Sequence, residues 1–189
     1  MENPVEEIPY VIHSLTQGTP AEQKHTLDTY FTPDSAFMHP YCRVFGFSDH
    51  SVPLVGIINS RWVIWMIYRW YKVLSPKIAL EVHSVVLDDS QNVLYIQISQ
   101  VFSLWYVPYH RSHVHLLTQL HLSQSSHDKK YYIHKQEDHY QINEMVKFIW
   151  PNGDIVLTFW QFISTLFCII GSLLFAPKPN EAKATSKVK

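Results

Sequence analysis

Histidine, the residue type used most often in acid–base catalysis, occurs 12 times among the 189 residues of this sequence. An imidazole acts as a general acid or base when a carboxylate orients it and a tyrosine supplies a second proton-transfer group. His39, Tyr41 and Asp138 offer such a set, and they are our catalytic candidates if the protein is an enzyme. Asp28 and His139 offer the same chemistry, but the sequence does not show which of these groups meet.

The segment HPYCRV also suits a structural role for its histidine. His39 precedes Pro40 in an irregular stretch, where a hydrogen bond that fixes the backbone is as suitable a role as catalysis. We therefore favour the structural interpretation of His39. Cys42 has only Arg43 beside it to lower its thiol pKa, which predicts a small buried side chain rather than a reactive one.

Three further histidines lie on one face of a predicted strand. His113, His115 and His121 share that face, and a His-x-His pair on a strand can bind a metal ion. The same face carries Leu117 and Gln119, and neither a cysteine nor a carboxylate cluster stands nearby. We interpret these histidines as ordinary sheet residues and expect neither a metal nor another cofactor.

Aromatic side chains outnumber the candidate catalytic groups, with six tryptophans, eleven tyrosines and ten phenylalanines. Such side chains either fill a solid core or line a cavity for an apolar ligand, and the sequence leaves both options open. The candidate cavity residues are Phe37, Tyr41, Trp70, Tyr95, Phe102 and Trp105.

The segment Ser60 to Lys72 predicts an amphipathic helix with two unlike faces. The apolar face should pack on the core and consists of Val63, Ile64, Met66, Ile67, Trp70 and Tyr71. The other face mixes cations with amphipathic rings, as a bilayer interface does, and consists of Arg61, Trp62, Trp65, Tyr68, Arg69 and Lys72. Arginine stacked on tryptophan at the protein surface, or packing under a neighbouring element, is the alternative.

The segment Ile155 to Ala176 contains 22 residues without one charged side chain. At about 1.5 Å per residue this helix would span roughly 33 Å, which matches a hydrocarbon core of about 30 Å. We predict a transmembrane helix that follows the turn Pro151 to Gly153, with Asp154 as its N-cap. A buried core helix is the alternative.

The amino-terminal residues MENPVEEIPY lack the basic start and apolar run of a signal peptide. We therefore expect residues 1–150 to form a cytosolic domain that is tail-anchored in the endoplasmic reticulum or another organelle. The short basic tail, 177–189, contains four lysines and would lie on the cytoplasmic side by the positive-inside rule. A segment that turns back near Gly171 and Ser172 would satisfy both observations.

The remaining composition restricts the partners. The formal net charge is −1 and the basic residues are scattered, which argues against nucleic acid. Cys42 belongs to the domain and Cys168 to the apolar segment, so a disulfide between them is not expected. The expected partners are a lipid bilayer and a hydrophobic ligand, and a homodimer is left open.

Helices precede strands along the chain. We predict helices at Pro4 to Leu15, Pro20 to Tyr30 and Ser60 to Lys72, with an irregular edge strand or bulge in the segment 35–47. Four strands follow at Ile78 to Leu87, Val93 to Tyr106, Ser112 to Ser123 and Lys130 to Tyr140. This order predicts an α+β domain in which a curved antiparallel sheet packs its concave face on the helices.

Four blocks carry a family resemblance: YFTPDSAFMHPYCRV (30–44), RWYKVLSPKI (69–78), SQVFSLWYVPY (99–109) and KYYIHKQEDHYQINE (130–144). They resemble the fungal SigF-like family of the nuclear-transport-factor-two-like superfamily, which has a SnoaL-like cone. The resemblance implies helices closing a curved sheet around an apolar cavity, and it defines no catalytic residues. The superfamily includes ketosteroid isomerases, scytalone dehydratase, polyketide cyclases and non-catalytic transport and scaffolding domains, so fold alone does not select a function.

Three functions remain, in this order of preference. The first is a membrane-anchored domain that binds a hydrophobic small molecule or lipid in its cavity at the membrane surface. The second is a protein-interaction scaffold with a filled core. The third is a cofactor-free isomerase or dehydratase acting on a polycyclic or polyketide-like substrate. This order depends on the anchor and the aromatic residues, and on the incomplete catalytic set.

Overall fold

The computed structural model describes residues 1–54, 56–103, 111–149 and 153–175. The described helices are α1 (Pro4–Gln17), α2 (Pro20–Tyr30), α3 (Ser60–Leu74), α4 (Ile142–Ile149) and α5 (Gly153–Phe175). The described strands are β1 (Phe31–His39), β2 (Cys42–Val44), β3 (His50–Val52), β4 (Gly56–Ile58), β5 (Ala79–Asp88), β6 (Val93–Phe102), β7 (Ser112–Gln124) and β8 (Tyr131–Tyr140).

A curved six-stranded sheet forms one layer, in the order β2-β1-β8-β7-β6-β5, and β3 and β4 form a separate hairpin. The predicted α+β class and the antiparallel meander β5 to β8 are confirmed. The irregular strand expected in the segment 35–47 corresponds to parts of β1 and β2, but the sheet is not wholly antiparallel, because β1 joins it parallel to β8 while β2 pairs antiparallel with β1. The pairing of β1 shifts register between Phe31 and Ala36, around Pro33, whose nitrogen has no hydrogen to donate.

The helices cover the concave face of the sheet. Ile8, Val11, Ile12 and Leu15 recur at helical spacing in α1 and are buried. The capping box at Thr19 begins α2 directly after α1 ends, so the two helices form a close pair. This pair and α3 enclose the space above the sheet.

The predicted division of α3 into two faces was partly wrong. Ile64 is fully buried as expected, but Trp70 is 57% exposed and Tyr68 is 7% exposed. The helix turns Ile64 and Tyr68, one turn apart, toward the sheet, and this rotation moves Trp70 to the rim. Tyr68 is therefore not a membrane-interface residue.

The helix α5 begins two residues before the predicted apolar segment, so Asp154 lies in its first turn rather than at its N-cap. It is long and apolar enough to cross a membrane, and none of its most apolar stretch is buried. It passes through Gly171 and Ser172 without a break, so the chain does not turn back at these two residues. Ala176 and the predicted basic tail lie outside the described residues.

Gln23 fixes α2 against the end of α1, and its replacement by alanine should destabilise the fold. The buried Gln23 Nε2 donates a hydrogen bond of 2.7 Å to the carbonyl of Leu15. Loss of this donor in a buried site should lower the free energy of unfolding by about 1–3 kcal/mol. Chemical denaturation of the full chain in detergent measures the change. His25→Ala, at an exposed position on the same helix, is the control, and equal effects would contradict the role of Gln23.

Candidate functional site

A cavity of about 510 Å³ lies between the concave face of the sheet and the helices α1 and α3. This volume falls within the usual range for small-molecule sites, roughly 300–1,000 Å³. Along β8 the lining residues are Ile133, Gln136, Asp138 and Tyr140, in this order. The lining therefore becomes more polar toward the end of β8, where α4 follows. The opposite, apolar end also includes Ile8, Val11, Phe31 and Leu120.

Asp138 is the acidic group of a hydrogen-bonded cluster in this lining. Its Oδ1 accepts hydrogen bonds from Thr118 Oγ1 at 2.8 Å and from Gln136 Nε2 at 3.1 Å. Gln136 Nε2 also lies 3.2 Å from Asp138 Oδ2. The hydroxyl of the buried Tyr68 donates to Gln136 Oε1 at 3.0 Å, which orients the amide so that its nitrogen faces the carboxylate.

Burial raises the pKa of Asp138 to about 6, although the hydrogen bonds from Thr118 and Gln136 act in the opposite direction. Two causes with opposite signs are expected when a carboxylate is desolvated among donors. A carboxyl group with this pKa exchanges its proton near neutral pH. Asp138 can therefore accept a proton from a bound molecule or return one to it.

A second polar cluster surrounds His39 at the same end of the cavity. Tyr71 Oη lies 3.2 Å from His39 Nδ1 and 3.2 Å from Cys42 Sγ. The backbone N–H of Tyr41 donates to His39 Nδ1 at 3.3 Å, so the neutral ring carries its proton on Nε2. The ring of Tyr140 meets the ring of His39 edge-on, with 5.2 Å between centroids.

Desolvation controls the ionisation of this second cluster as well. Burial lowers the pKa of His39 to about 4, so the imidazole is neutral at pH 7. Burial also raises the pKa of Tyr71 and of Tyr140, which keeps both phenols protonated. The pKa of the Cys42 thiol is raised by burial, which agrees with an unreactive side chain. The cluster thus offers neutral hydrogen-bonding groups beside the ionisable Asp138.

The mouth of the cavity lies at the polar end. Tyr41 and Trp70 line the cavity and are 45% and 57% exposed, so they form part of its rim. Glu144 and Met145, from the first turns of α4, complete this rim. The hydroxyl of Tyr41 donates to the carbonyl of Met145 at 2.9 Å, which joins the two sides of the mouth.

The structure brings His39, Tyr41 and Asp138 to one cavity. The other two acid–base candidates lie outside it: Asp28 pairs with Arg61 at 3.1 Å, and His139 lies 3.8 Å from Glu137 on the convex face. Sequence reasoning missed other polar lining residues. These are Thr16, Tyr68, Tyr71, Gln100, Thr118, Gln136, Tyr140 and Glu144. Strand alternation could have found those on β8, because alternate residues share a face.

Four of the six predicted cavity residues line the cavity: Phe37, Tyr41, Trp70 and Phe102. The prediction was wrong for Tyr95, because Ile98, Gln100 and Phe102 show which face of β6 lines the cavity. Tyr95 is separated from these residues by odd numbers of positions and therefore lies on the other face. Trp105 lies outside the described residues.

Three of the residues predicted to contact a membrane interface bond to the protein's own backbone. Arg61 Nη1 donates to the carbonyl of Phe31 at 3.0 Å, Trp65 Nε1 to that of Pro20 at 3.0 Å, and Lys72 Nζ to that of Gln17 at 2.8 Å. The guanidinium of Arg69 stacks on Trp65 at 5.0 Å. These contacts match the intramolecular alternative. Trp62 is half-buried.

The convex face of the sheet carries His113, His115 and His121, which share it as predicted. His121 Nε2 lies 3.4 Å from Glu137 Oε1, and His115 Nδ1 lies 2.8 Å from Ser99 Oγ. Within the described part of the chain, no group of three or more potential ligand side chains is arranged to hold a metal ion.

Several solved structures share this fold. An LEH-like epoxide hydrolase from M. tuberculosis superposes with a TM-score of 0.50 at 12% identity, over 77% of this chain and 90% of that one. A Catenulispora acidiphila protein with a ketosteroid isomerase-like fold, in complex with trimethylamine, superposes with a TM-score of 0.53 at 12% identity, over 75% of this chain and 89% of that one. A protein of Jannaschia sp. CCS1, described as a putative SnoaL-like polyketide cyclase, superposes with a TM-score of 0.52 at 12% identity, over 77% of this chain and 93% of that one. At this identity the likeness shows the fold alone.

The sequence itself carries the family assignment. No curated protein matches the chain. Residues 1–176, which include the cone and α5, match the family model described as the SigF NTF2-like domain. The chain therefore belongs to the SigF NTF2-like domain family.

Proposed function

We propose that this protein binds one apolar small molecule in the cavity between its sheet and its helices. The observation that carries the proposal is the cavity of about 510 Å³, with an apolar closed end and polar groups near its mouth. Protein interiors are otherwise packed as densely as organic crystals. A space of this size therefore favours a ligand that occupies it.

The residues that line the cavity indicate which chemical groups the ligand carries. The closed end presents Ile8, Val11 and Ile133, which contribute apolar contacts but no hydrogen bond. The mouth end presents the Asp138 carboxylate and the neutral His39 ring. A ligand with an apolar body and a hydroxyl or amine at one end suits both regions, because the Asp138 carboxylate can accept further hydrogen bonds beyond those from Thr118 and Gln136.

A second function is favoured by one specific observation, the pKa of about 6 at Asp138. A general base works best when its pKa lies near the ambient pH. Asp138 could remove a proton from a bound molecule while a phenol or imidazole proton of the His39 cluster stabilises the developing oxyanion. Isomerisation or dehydration of a carbonyl compound is the reaction class that this arrangement would serve. The scaffold alternative requires a filled core, and the cavity argues against it.

The proposal includes attachment to a membrane through α5. The exposed apolar surface of this helix, with Phe159, Trp160 and Phe162 each at least 64% exposed, supports a lipid environment. We propose a single crossing with the cone on the cytosolic side.

Filling the cavity should abolish ligand binding. Val114 lines the cavity and is 2% exposed, so Val114→Phe places a ring inside the space. Photolabelling of the full chain in detergent by a diazirine fatty alcohol should fall about tenfold, which corresponds to a loss of about 1.4 kcal/mol in binding. Leu117→Phe, on the convex face of the same strand, is the matched control and should label normally. Equal labelling of both variants would contradict the proposal.

Asp138 and His39 should shift stability in opposite directions on acidification. The pKa of Asp138 is raised in the fold, so its contribution to the free energy of unfolding is gained as pH falls from 7 to 4. The pKa of His39 is lowered in the fold, so its contribution is lost over the same interval. Each contribution is about 3 kcal/mol at most.

These two contributions nearly cancel in the unmodified protein. Between pH 7 and 4, Asp138→Asn should therefore lose stability relative to the unmodified chain, whereas His39→Asn should gain it. Thermal unfolding of the full chain in detergent, followed by near-ultraviolet circular dichroism, measures both profiles. Parallel pH profiles for the three proteins would show that neither group is desolvated as described.

Membrane attachment predicts that the full chain sediments with membranes and resists carbonate extraction. In intact organelles, protease added from the cytosolic side should digest the cone, because the cone is expected to face the cytosol. Release of the protein by carbonate would contradict the anchor. Protection of the cone from protease would contradict only its orientation.

A further inference from the structure

The helix α4 lies across the mouth of the cavity and is joined to α5 by side-chain hydrogen bonds, which we call the tie. Glu144 and Met145 line the mouth, and the carbonyl of Met145 accepts the hydrogen bond of Tyr41. The preceding residue, Asn143, points its side chain toward α5. One short helix therefore contacts both the cavity and the helix that is apolar enough to cross a membrane.

The tie consists of a reciprocal pair of amide contacts. Gln161 Nε2 donates to Asn143 Oδ1 at 3.0 Å, and Asn143 Nδ2 lies 3.4 Å from Gln161 Oε1. Asn143 Nδ2 also lies 3.3 Å from Thr158 Oγ1. The first turn of α4 is thus fixed beside the part of α5 that contains Thr158 and Gln161.

The position of this tie along α5 sets the depth of the mouth. Gln161 lies eight residues after Gly153, or about 12 Å along the helix axis. The polar headgroup layer is only about 5–7 Å thick on each side of the hydrocarbon core. If α5 crosses the bilayer and Gly153 lies at its outer surface, Gln161 and the side chain of Asn143 therefore lie about 5–7 Å inside the hydrocarbon, and the adjacent Glu144 and Met145 border that layer.

The exposed side chains around the mouth are of types that contact lipid or its interface with water. Trp70 and Tyr41 are amphipathic aromatic residues, the types that are enriched where a membrane meets water. Ile142, at the start of α4, is 65% exposed and adds apolar surface at the same place. These residues are continuous with α5 through Asn143, so the lipid that surrounds α5 also reaches the rim of the cavity.

We propose that the cavity opens directly onto the bilayer and that its ligand is an amphiphile dissolved in that bilayer. The ligand passes between lipid and cavity under α4 without crossing water. Its apolar body occupies the closed end near Phe31 and Ile133, and its polar head lies at the mouth near His39 and Asp138. This inference rests on the proposed function, to which it adds the class of ligand and the route of entry.

Photolabelling from the lipid phase tests this arrangement. The full chain is reconstituted in nanodiscs that contain a phospholipid with a diazirine near the top of one acyl chain, and the adducts are mapped by peptide sequencing. We expect adducts on α5 and on the mouth peptides that contain Trp70 and Met145. The loop 125–130, at the other end of β8, should remain unlabelled, because ten strand residues place it roughly 33 Å away.

The outcomes separate this inference from the proposed function. Adducts confined to α5 would overturn the inference. The proposed function would still be tested separately, by whether Val114→Phe loses labelling by the diazirine fatty alcohol in detergent. Absence of adducts even on α5 would overturn the membrane position of the mouth altogether. Labelling of loop 125–130 as strong as that of Met145 would do the same, since the cone would then have no preferred orientation.

A variant of the tie supplies the second test. Gln161→Ala removes both amide contacts to Asn143 and leaves only the contact with Thr158. The Met145 adduct should fall at least about threefold, because α4 and the cone are then held less firmly beside α5. The adducts on α5 should not change. Ser164→Ala, three residues further along α5, is the matched control and should keep the full Met145 adduct. An undiminished Met145 adduct in Gln161→Ala would overturn the role assigned to the tie.

Discussion

The constraint on which this structure depends is the cost of keeping a carboxylate inside an apolar cavity. An isolated charge in a protein interior is so unfavourable that it either gains partners or becomes neutral. Asp138 shows both responses, since Thr118 and Gln136 donate to it while burial raises its pKa to about 6. Tyr68 donates to the oxygen of Gln136, which keeps the nitrogen of Gln136 directed at the carboxylate. The carboxylate therefore specifies how β7, β8 and α3 pack around the cavity.

Desolvation also determines the protonation states of the other polar groups in the cavity. Desolvation lowers the pKa of His39 and raises the pKa of Tyr71, so these groups meet as neutral hydrogen-bonding partners. The buried carboxyl group of Asp138, beside neutral donors and an apolar space, can position a polar head group, and it can also move a proton. Binding and proton transfer are thus two uses of one arrangement, and only the reactivity of the ligand distinguishes them.

Sequence periodicity was informative where a local pattern decides the structure. Alternation predicted the meander, helical spacing predicted α1 and α3, and the uncharged run predicted α5. Periodicity failed where contacts between distant segments determine the structure. The failures are the pairing of β1 with β8, the rotation of α3 that buries Tyr68, and the face of β6 on which Tyr95 lies. The residues His39, Tyr41 and Asp138 were named from their chemistry alone. Their common cavity depends on contacts across some 100 residues of chain, which no local pattern records.

The central claim is that the cavity contains a bound molecule, and its composition in the native protein tests this most directly. The full chain, purified in mild detergent from eukaryotic membranes, would be analysed by native mass spectrometry and by organic extraction. The structure predicts one amphiphile of defined mass for each chain, with an apolar body and a single polar end. A chain that carries only detergent, with no extractable compound in stoichiometric amount, would contradict the account.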